Sequence, residues 1–348
     1  MNDDGLVIST RVSTLNDGKI LVTGGAGFIG SALVWALNRR GLYRILVSDR
    51  LGSDDKWRNL VNLHFDDYVD ADGLLGRVLA DDPVLRDIRT VFHLGACSAT
   101  TERDAGYLMR NNFEYTKQLC RWALRRDNRF VYASSAATYG DGTQGMQDDE
   151  GGLERLRPLN GYGYSKHLFD LHAKRNGYLS QVVGLKYFNV FGPNEGHKGE
   201  MRSLVHKAFE QVQRTGVIQL FRSYRPEFRD GEQKRDFLYV KDAVDMTMHL
   251  AETPSANGIF NLGSGKARTW IDLAHALFKA MDRPVQIEFV EMPETLKGKY
   301  QYFTEADIRR LRKTGYAGPR FTLETAVEDY AKGYLAPQKA LGAENEPV

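Results

Sequence analysis

The segment "VTGGAGFIG" (residues 22–30) constrains this chain most, because it places Gly24, Gly27 and Gly30 between a strand-like run and a helix-like run. Gly24, Gly27 and Gly30 let the backbone turn tightly and approach a pyrophosphate, whose charge the following helix N-terminus stabilises. Asp49 ends the next strand-like run, 19 residues after Gly30. The spacing GxxGxxG differs from the usual fingerprint, whose first two glycines are one residue apart. The segment still predicts a dinucleotide-binding turn, because strand, helix and acidic residue surround it.

The fold class follows from the alternation of short β-branched runs with longer amphipathic stretches. The runs are KILVT, RILVSD, TVFHL, RFVYAS and QVVGLKYFNV, and the helical stretches include 28–40, 104–126 and 162–178. Such alternation predicts an α/β fold with a doubly wound parallel sheet. Sheets of this kind bind ligands beyond the carboxyl ends of their strands.

The domain organisation is predicted from length and from a change in pattern near residue 200. A chain of 348 residues exceeds the usual size of one core, so we expect a dinucleotide-binding domain and a smaller interleaved α/β substrate lobe. The segment 222–236 has the charge of an exposed loop. The predicted divisions are a polar tail at 1–18, the dinucleotide-binding domain at 19–188 plus about 236–263, the substrate lobe at about 189–235 plus 264–335, and a tail at 336–348.

Charge and cysteine content exclude several classes of protein. The chain has 47 Lys and Arg against 45 Asp and Glu, with no basic block, so we expect no nucleic acid partner. Cys97 and Cys120 are too few for a disulfide framework or a structural zinc site, which favours the cytoplasm and predicts no metal. Residues 20–37 are uncharged, but their glycines indicate strand, turn and helix, and 1–18 do not resemble a secretory signal. We expect no membrane association.

The identity of the cofactor depends on three residues after the second strand. Asp49 is suited to bond an adenosine ribose hydroxyl, which favours NAD. Arg50 follows it and Lys56 comes soon after, and either cation is able to hold the 2′-phosphate of NADP instead. The residues alone leave both cofactors open.

A candidate catalytic group is formed by Ser135, Tyr162 and Lys166. In "YGYSK" the tyrosine and lysine are four residues apart, so a helix places them on one face. "YASSAATYG" ends the preceding strand and brings Ser135 to the edge where a cofactor binds. With a cation nearby to favour the phenolate, Tyr162 is able to act as an acid/base while Ser135 bonds the reacting oxygen.

A second candidate lies in "GPNEGHKGEM", directly after a buried strand. A Gly-His-Lys-Gly segment is by itself typical of a solvated turn. Here it leaves the carboxyl end of a strand, and Gly196 and Gly199 allow turns that direct the intervening side chains inward. We therefore predict that Lys198 is a second acid/base.

Together "VTGGAGFIG", "SSAATYG", "YGYSK", "RDFLYV" and "FNLGSG" resemble the extended short-chain dehydrogenase/reductases that act on nucleotide sugars. The stretches "GACSATTERD", "YFNVFGPNEGHKG" and "LKGKYQYFTEADI" are similar to those of the ADP-L-glycero-D-manno-heptose 6-epimerases. The likeness covers about residues 19–335. It implies an NADP-dependent epimerase that forms a homo-oligomer, with pentamers known in the family.

The resemblance also implies roles for individual positions. Ser135 and Tyr162 match the catalytic positions, and Lys198 matches a second acid/base. The positions that match the cofactor site, together with the glycine turn, are Gly24, Gly27, Phe28, Ile29, Gly30, Asp49, Arg50, Lys56, Leu94, Gly95, Ala96, Cys97, Ser98, Asn111, Lys166, Val190 and Lys198.

On the substrate side, Asn189, Arg235 and Tyr300 match contacts of the family, and Phe221 is a further candidate. Arg235 is suited to the substrate's pyrophosphate, since a guanidinium makes paired hydrogen bonds to two oxygens. Where the family has serine and histidine, this chain has Glu200 and Lys207, although His206 is adjacent and a shift by one residue is open. These departures concern the sugar more than the chemistry.

The predicted function is inversion of carbon 6 of the heptose in ADP-D-glycero-D-manno-heptose, by transient oxidation to a ketone and hydride return to the other face. One alternative is another nucleotide-sugar epimerase or dehydratase, for example a 4-epimerase. "SSAAT" lacks the acidic residue that a dehydratase usually has there. The other alternative is a catalytically silent cofactor-binding sensor, which would not need the phenol of Tyr162.

Overall fold

The central element is a sheet of seven parallel strands. The computed structural model describes residues 15–297 and 300–343. The large sheet has the order β10-β6-β5-β4-β1-β2-β3, and each neighbouring pair is parallel. This confirms the predicted doubly wound α/β sheet. The strands are β1 (Lys19–Thr23), β2 (Ile45–Asp49), β3 (Asp67–Asp70), β4 (Ile88–His93), β5 (Arg129–Ser135), β6 (Val182–Tyr187), β7 (Asn189–Phe191), β8 (Ile218–Phe221), β9 (Lys234–Tyr239), β10 (Gly258–Leu262), β11 (Ala267–Thr269) and β12 (Ile287–Val290).

Helices flank this sheet, so its central strands are buried. Every residue of β2 and of β6 is buried, as expected for parallel strands covered on both faces. A π-helical segment, Met109–Glu114, joins α3 to α4. The α-helices are α1 (Phe28–Asn38), α2 (Ala71–Leu79), α3 (Ala105–Leu108), α4 (Tyr115–Arg125), α5 (Gly161–Arg175), α6 (Leu204–Thr215), α7 (Val240–Glu252), α8 (Trp270–Ala280), α9 (Glu294–Lys297), α10 (Arg309–Lys313) and α11 (Leu323–Tyr330).

The strand order positions the site. Because neighbouring strands are parallel, β1, β2, β4 and β5 all end at one edge of the sheet. The glycine turn after β1 therefore lies beside the loop that follows β4. Ser135, the last residue of β5, faces the same edge.

The second lobe is built on two small sheets. Strand β9 pairs in parallel with β7 and antiparallel with β11, while β8 and β12 form a parallel pair. The predicted boundary between residues 235 and 236 falls inside β9. The predicted exposed loop 222–236 is also too long, because β9 begins at Lys234 and buries Arg235 and Asp236.

Both predicted tails are shorter than expected, because apolar side chains near each end join the core. Leu15 and Leu341 are buried, and the backbone N–H of Leu341 donates to Asn194 Oδ1 at 3.0 Å. Residues 1–14 and 344–348, the rest of these tails, lie outside the described residues. Within 15–297 and 300–343, no helix has the length and apolar character needed to cross a bilayer.

Candidate active site

The glycine turn after β1 leaves no room for a side chain at Gly24 or Gly30. Gly24 has φ +70°, and a Cβ there would lie 2.6 Å from the backbone N of Gly95. A Cβ at Gly30 would lie 2.0 Å from the carbonyl oxygen of Gly24. In the described chain no side chain caps α1 at Gly27, and the first turn of α1 has no acidic residue. The N–H groups at the start of α1 therefore suit the phosphates of a dinucleotide.

Asp49 at the end of β2 holds this turn. Its Oδ2 accepts from the backbone N–H groups of Ala26 at 2.9 Å and Gly27 at 3.1 Å. Its Oδ1 accepts from Lys56 Nζ at 3.2 Å and from the N–H of Arg50 at 2.7 Å. A bond from Asp49 to a ribose hydroxyl, the predicted role, has to compete with these contacts.

A cavity of about 480 Å³ is lined by Asp49 and by three cations, Arg50, Lys56 and Arg110. Arg50 Nε donates to Asp72 Oδ2 at 3.2 Å, and this contact raises the pKa of Arg50 and lowers that of Asp72. The side chain of Arg50 is 47% exposed, so the pair is weak and a phosphate can compete for the guanidinium. The cavity therefore has the donors that an anionic group needs.

The loop after β4, residues 94–98, is held by Asn112. Its Oδ1 accepts from the N–H of Cys97 at 2.8 Å, and its Nδ2 donates to the carbonyl of Cys97 at 2.9 Å. Asn112 Nδ2 also donates to Ser165 Oγ on α5 at 2.9 Å. The neighbouring Asn111 lines the 480 Å³ cavity. The prediction named Asn111 but missed Asn112, whose inward direction depends on the π-helical segment rather than on a sequence signal.

Ser135, Tyr162 and Lys166 share the wall of a cavity of about 700 Å³ at the carboxyl edge of the sheet. Asn160 caps α5 by accepting from the N–H of Gly163 at 2.8 Å, which starts the helix just before Tyr162. Burial raises the pKa of Tyr162, whereas its hydrogen bond with Ser135 lowers it. The predicted catalytic group is thus assembled with the phenol and the serine hydroxyl in contact.

Lys166 supplies a buried ammonium one helical turn after Tyr162 on α5. Its side chain is 4% exposed, and Nζ donates to the carbonyl of Ala133 at 2.9 Å. Burial lowers the pKa of Lys166 to about 8, while Asp170 and Cys97 act in the opposite direction. The charge of Lys166 therefore changes in a pH range close to neutral.

The Gly-His-Lys-Gly segment forms a 3₁₀ turn, Gly196–Met201, that brings Lys198 into the same wall. Lys198 Nζ lies 5.2 Å from the ring centre of Phe28. Burial lowers the pKa of Lys198, and Glu195 opposes this effect. His197 is held elsewhere, with Nδ1 3.2 Å from Asn59 Nδ2. Of the two residues between the glycines of this turn, Lys198 lines the cavity and His197 contacts Asn59.

On the substrate side, five of the six further predicted residues line the 700 Å³ cavity: Asn189, Glu200, Lys207, Phe221 and Tyr300. Lys207 Nζ donates to the backbone carbonyl of Glu200 at 3.1 Å. His206 is outside the described lining, because its Nδ1 contacts the hydroxyl of Tyr330 at 2.9 Å. The structure therefore places Lys207, and not His206, in the wall of this cavity.

Arg235 is the sixth residue, and the structure does not bring it to the described wall of the cavity. Its guanidinium carbon lies 4.9 Å from the ring centre of Tyr300 and 5.6 Å from that of Trp270. These two rings, which do line the cavity, are joined by a 2.8 Å hydrogen bond from Trp270 Nε1 to Tyr300 Oη. In this structure the guanidinium of Arg235 lies against these two rings, and its contact with a pyrophosphate stays a prediction.

Several cavity residues were missed by the sequence prediction. Gln211 follows Lys207 by one helical turn on α6, and Gln219 precedes Phe221 by two residues on β8. Helix and strand periodicity place each beside its predicted neighbour, so the sequence contained the signal. Other missed residues stand on segments whose positions are set by the packing of the second lobe and not by a local sequence pattern. They are Met201, Arg202, Trp270 and Val290.

The two cavities adjoin, because Ala96 lines both. Gly27, Gly30 and Arg235 line neither, while a groove of about 800 Å³ between α1, α7 and residues 320–339 contains no predicted site residue. The predicted residues of the smaller cavity are Gly24, Asp49, Arg50, Lys56, Gly95, Ala96, Cys97 and Asn111. In addition to the substrate-side residues, the predicted residues of the larger are Phe28, Ile29, Leu94, Ala96, Ser98, Ser135, Tyr162, Lys166, Val190 and Lys198.

Comparison with solved structures gives the same fold. The chain is similar to an ADP-L-glycero-D-manno-heptose-6-epimerase of Helicobacter pylori, with a TM-score of 0.77, 26% identity, and coverage of 94% of this chain and 99% of that one. It is also similar to a UDP-N-acetylglucosamine 4-epimerase of Methanobrevibacter ruminantium M1, with a TM-score of 0.73, 25% identity and coverage of 92% and 99%.

Comparison with related sequences identifies the family more narrowly than comparison of folds. Residues 20–263 match the NAD dependent epimerase/dehydratase family. An ADP-L-glycero-D-manno-heptose-6-epimerase of Nitratidesulfovibrio vulgaris is 54% identical over 317 residues, covering 91% of this chain and 98% of the relative. One of Fusobacterium nucleatum is 46% identical over 328 residues, covering 92% and 98%. The chain therefore belongs to the NAD dependent epimerase/dehydratase family, within its ADP-L-glycero-D-manno-heptose-6-epimerase group.

Proposed function

We propose that this chain inverts carbon 6 of the heptose in ADP-D-glycero-D-manno-heptose and gives ADP-L-glycero-D-manno-heptose, which makes it an isomerase. The observation that carries the proposal is that Ser135, Tyr162, Lys166 and Lys198 share one cavity that adjoins the glycine turn. Relatives that match over 98% of their own length bear the name of this epimerase, which supports the choice of substrate.

The residues around the turn fit a nicotinamide dinucleotide. A Cβ at Gly24 or Gly30 would clash with backbone, and the open N-terminus of α1 suits a diphosphate. When bound, such a cofactor supplies reversible hydride transfer, through which the hydroxyl-bearing carbon becomes a ketone and is reduced again on its other face. Phe28, Ile29 and the loop 94–98 would hold it between the two cavities.

We favour NADP over NAD as the cofactor. The carboxylate of Asp49 already accepts from the glycine turn and from Lys56, which supports a structural role for it. Arg50 and Lys56 line the smaller cavity and would bind a 2′-phosphate. Measurement of the dissociation constants of NADP and NAD for the protein and for Arg50→Ala tests this, because the substitution should weaken NADP binding and leave NAD binding nearly unchanged.

Tyr162 takes the proton of the substrate hydroxyl in this mechanism. A phenol has a reference pKa of about 10, and each unit of lowering requires about 1.4 kcal/mol of preference for the phenolate. The hydrogen bond with Ser135 lowers the pKa of Tyr162. We assign a further lowering to the Lys166 cation, which lies one helical turn later on α5. Ser135 also has a hydroxyl with which to bond the reacting oxygen.

Lys198 is the second acid/base in the proposal. A ketone that is reduced on both faces has to turn in the site, and a phenol fixed on α5 serves one orientation. Lys198 lines the same cavity from the segment after β7, and burial lowers its pKa toward the range of a useful acid/base. The substitution Lys198→Met should leave NADP bound and one half-reaction intact in single turnover, while steady-state inversion fails.

The sugar nucleotide is assigned to the rest of the 700 Å³ cavity. Asn189, Phe221 and Tyr300 would contact it, and Glu200 and Lys207 would meet polar groups of the ligand from α6 and the turn before it. We place Arg235 behind this wall, where it supports the rings of Trp270 and Tyr300. We also propose that the protein is a cytoplasmic homo-oligomer, and a pentamer as in the family. Sedimentation of the purified protein measures the number of subunits.

Incubation of the protein with ADP-D-glycero-D-manno-heptose in D₂O, followed by NMR, tests the proposed function. We expect inversion at carbon 6 without deuterium at that carbon, because the transferred hydrogen never becomes a solvent proton. Stoichiometric deuterium would instead show a carbanion mechanism. Inversion of carbon 4 of a UDP-sugar, with the heptose unchanged, would assign the chain to the 4-epimerases, and cofactor binding without turnover of either would make it a sensor.

A further inference from the structure

A fully buried ion pair lies behind the catalytic group. Asp170 on α5 and Lys186 on β6 have side chains with 0% exposure, and Lys186 Nζ lies 2.9 Å from Asp170 Oδ2. Removing two charges from water costs several kcal/mol per ion, so such a pair is seldom justified by stability. Its contacts with the residues that carry Ser135, Tyr162 and Lys166 suggest another reason for it.

The carboxylate of Asp170 joins α5 to β5. Its Oδ2 accepts from Ser134 Oγ at 2.8 Å, and its Oδ1 accepts from Tyr132 Oη at 2.9 Å. Ser134 directly precedes Ser135. Asp170 also follows Tyr162 and Lys166 at four-residue intervals, so all three lie along one face of α5. The helix that carries the phenol is thereby fixed to the strand that carries the serine.

The ammonium of Lys186 extends the link to Ser135 from the other side. Nζ donates to Thr138 Oγ1 at 2.5 Å, and that hydroxyl donates to the carbonyl of Ser135 at 2.8 Å. Lys186 Nζ also lies 4.8 Å from the ring centre of Tyr139. The pair therefore reaches Ser135 along two routes, one through Ser134 and one through Thr138.

We propose that the Asp170–Lys186 pair consists of positioning residues, which set the register of Tyr162 and Lys166 on α5 against Ser135 on β5. Asp170 also places a negative charge four residues from Lys166. Among the groups that act on Lys166, Asp170 and Cys97 favour its cation, and burial disfavours it. His93 at the end of β4 is kept neutral by burial and by Lys166 itself. The expected effect on kcat rests on the proposed function, whereas the expected effect on the ionisation of Tyr162 does not.

The test uses the double variant Asp170→Asn/Lys186→Met, which removes both charges with little change of shape. Asparagine still bonds the hydroxyls of Ser134 and Tyr132, and replacing a buried pair by neutral groups is often tolerated by the fold. The matched control is Lys241→Met/Asp329→Asn, the same substitutions at an ion pair of 2.7 Å outside the site. The Lys186→Arg variant keeps the charge and should retain more activity than Lys186→Met.

We expect the double variant to remain folded and to bind NADP, with kcat lowered on the order of 10²-fold and KM changed little, since displacement of a catalytic group has this effect. The control should stay within about twofold of the parent. An unchanged kcat in a folded double variant, or an equal loss in the control, would overturn the proposal.

A second readout needs no substrate, and so separates this proposal from the proposed function. Ionisation of Tyr162 is measured by ultraviolet absorbance, as the difference between each protein and its Tyr162→Phe counterpart. The double variant should raise the midpoint by about one pH unit, a tenfold change in the ionisation constant, because Lys166 loses its register and its anionic neighbour. An unmoved midpoint would contradict the positioning role even if the parent had no epimerase activity.

Discussion

The buried position of Lys166 predicts that activity falls in alkaline solution. Its pKa is lowered to about 8, first because burial disfavours the ammonium. The lysine gives up its proton as the pH rises through about 8, and with it the positive charge that favours the phenolate of Tyr162. The direction is therefore a loss of kcat toward high pH.

The size of the loss follows from the fraction of Lys166 that is protonated. With a pKa of about 8, this fraction is about 0.9 at pH 7 and about 0.1 at pH 9. If turnover requires the cation, kcat should fall about tenfold between these two pH values and continue to fall by about tenfold per unit above them. A lysine at its ordinary pKa of 10.5 would give no loss in this range.

The assay is the initial rate of epimerisation under saturating substrate at intervals between pH 6 and 10. The control for the helix is Lys174→Met, which removes a partly exposed lysine of α5 whose Nζ pairs with Glu154 at 2.7 Å. Its profile should match that of the parent, whereas Lys166→Met should be slow and nearly independent of pH. Circular dichroism at each pH shows whether the protein is still folded.

A parent profile that stays level to pH 10 would refute this reasoning, and so would an identical alkaline fall in Lys166→Met. The first result would mean that the charge of Lys166 does not enter turnover. The second would assign the fall to another group of the cavity, for which Lys198 is the next lysine to substitute.

Four further predictions concern other parts of the site. Tyr162→Phe should keep the fold and bound cofactor but lose about 10²–10⁴-fold in kcat, and near-normal turnover would remove the phenol from the mechanism. Gly30→Ala should lower the free energy of unfolding in urea by about 1–3 kcal/mol and weaken cofactor binding, because its Cβ would lie 2.0 Å from a backbone oxygen. The control Gly73→Ala should have neither effect, because no atom lies within 4 Å of a Cβ there. Burial lowers the pKa of His93 to about 3, whereas its ordinary value, kept in the unfolded chain, is 6.5. Below pH 6.5 the unfolded chain therefore binds a proton that the folded protein excludes, and the free energy of unfolding should fall by up to about 1.4 kcal/mol per pH unit. His93→Asn should lack this slope. Arg235→Ala should raise KM more than it lowers kcat, since support for two cavity rings is lost, and a collapse of kcat alone would contradict that role.

The residues predicted to bind the cofactor lie together at one edge of the sheet, because they stand at or near strand ends. Gly24, Lys56 and Asn111 each follow or flank an element whose pattern is visible in the sequence, and parallel order brings them to one edge. The same rule placed Ser135 beside Tyr162. What the sequence did not show was that the carboxylate of Asp49 bonds back to the turn, since hydrogen bonds between loops depend on distances and not on periodicity.

The lining of the larger cavity was harder to predict from the sequence, for a physical reason. Arg235 stands in "KRDFLYV", and its placement at the pyrophosphate rested on charge and resemblance alone. Its actual neighbours, Trp270 and Tyr300, come from segments more than 30 residues away in sequence, so stacking between them leaves no local pattern. Lys207 illustrates the opposite case, because helical direction on α6 decides between it and His206 once the helix is in place.

This contrast also bears on Glu200 and Lys207, the two positions at which we expect the chain to differ from its family. The catalytic group depends on β5, α5 and β6, whose positions are fixed by the core and by the buried Asp170–Lys186 pair, so a change there disturbs several contacts at once. Glu200 and Lys207 stand on a turn and a helix face, and the one hydrogen bond between them ends on a backbone carbonyl that any residue at 200 provides. Side chains at these two positions are therefore free to vary with the ligand. We therefore expect a change of sugar specificity to require substitutions at positions 200 and 207 rather than at Ser135, Tyr162 or Lys166.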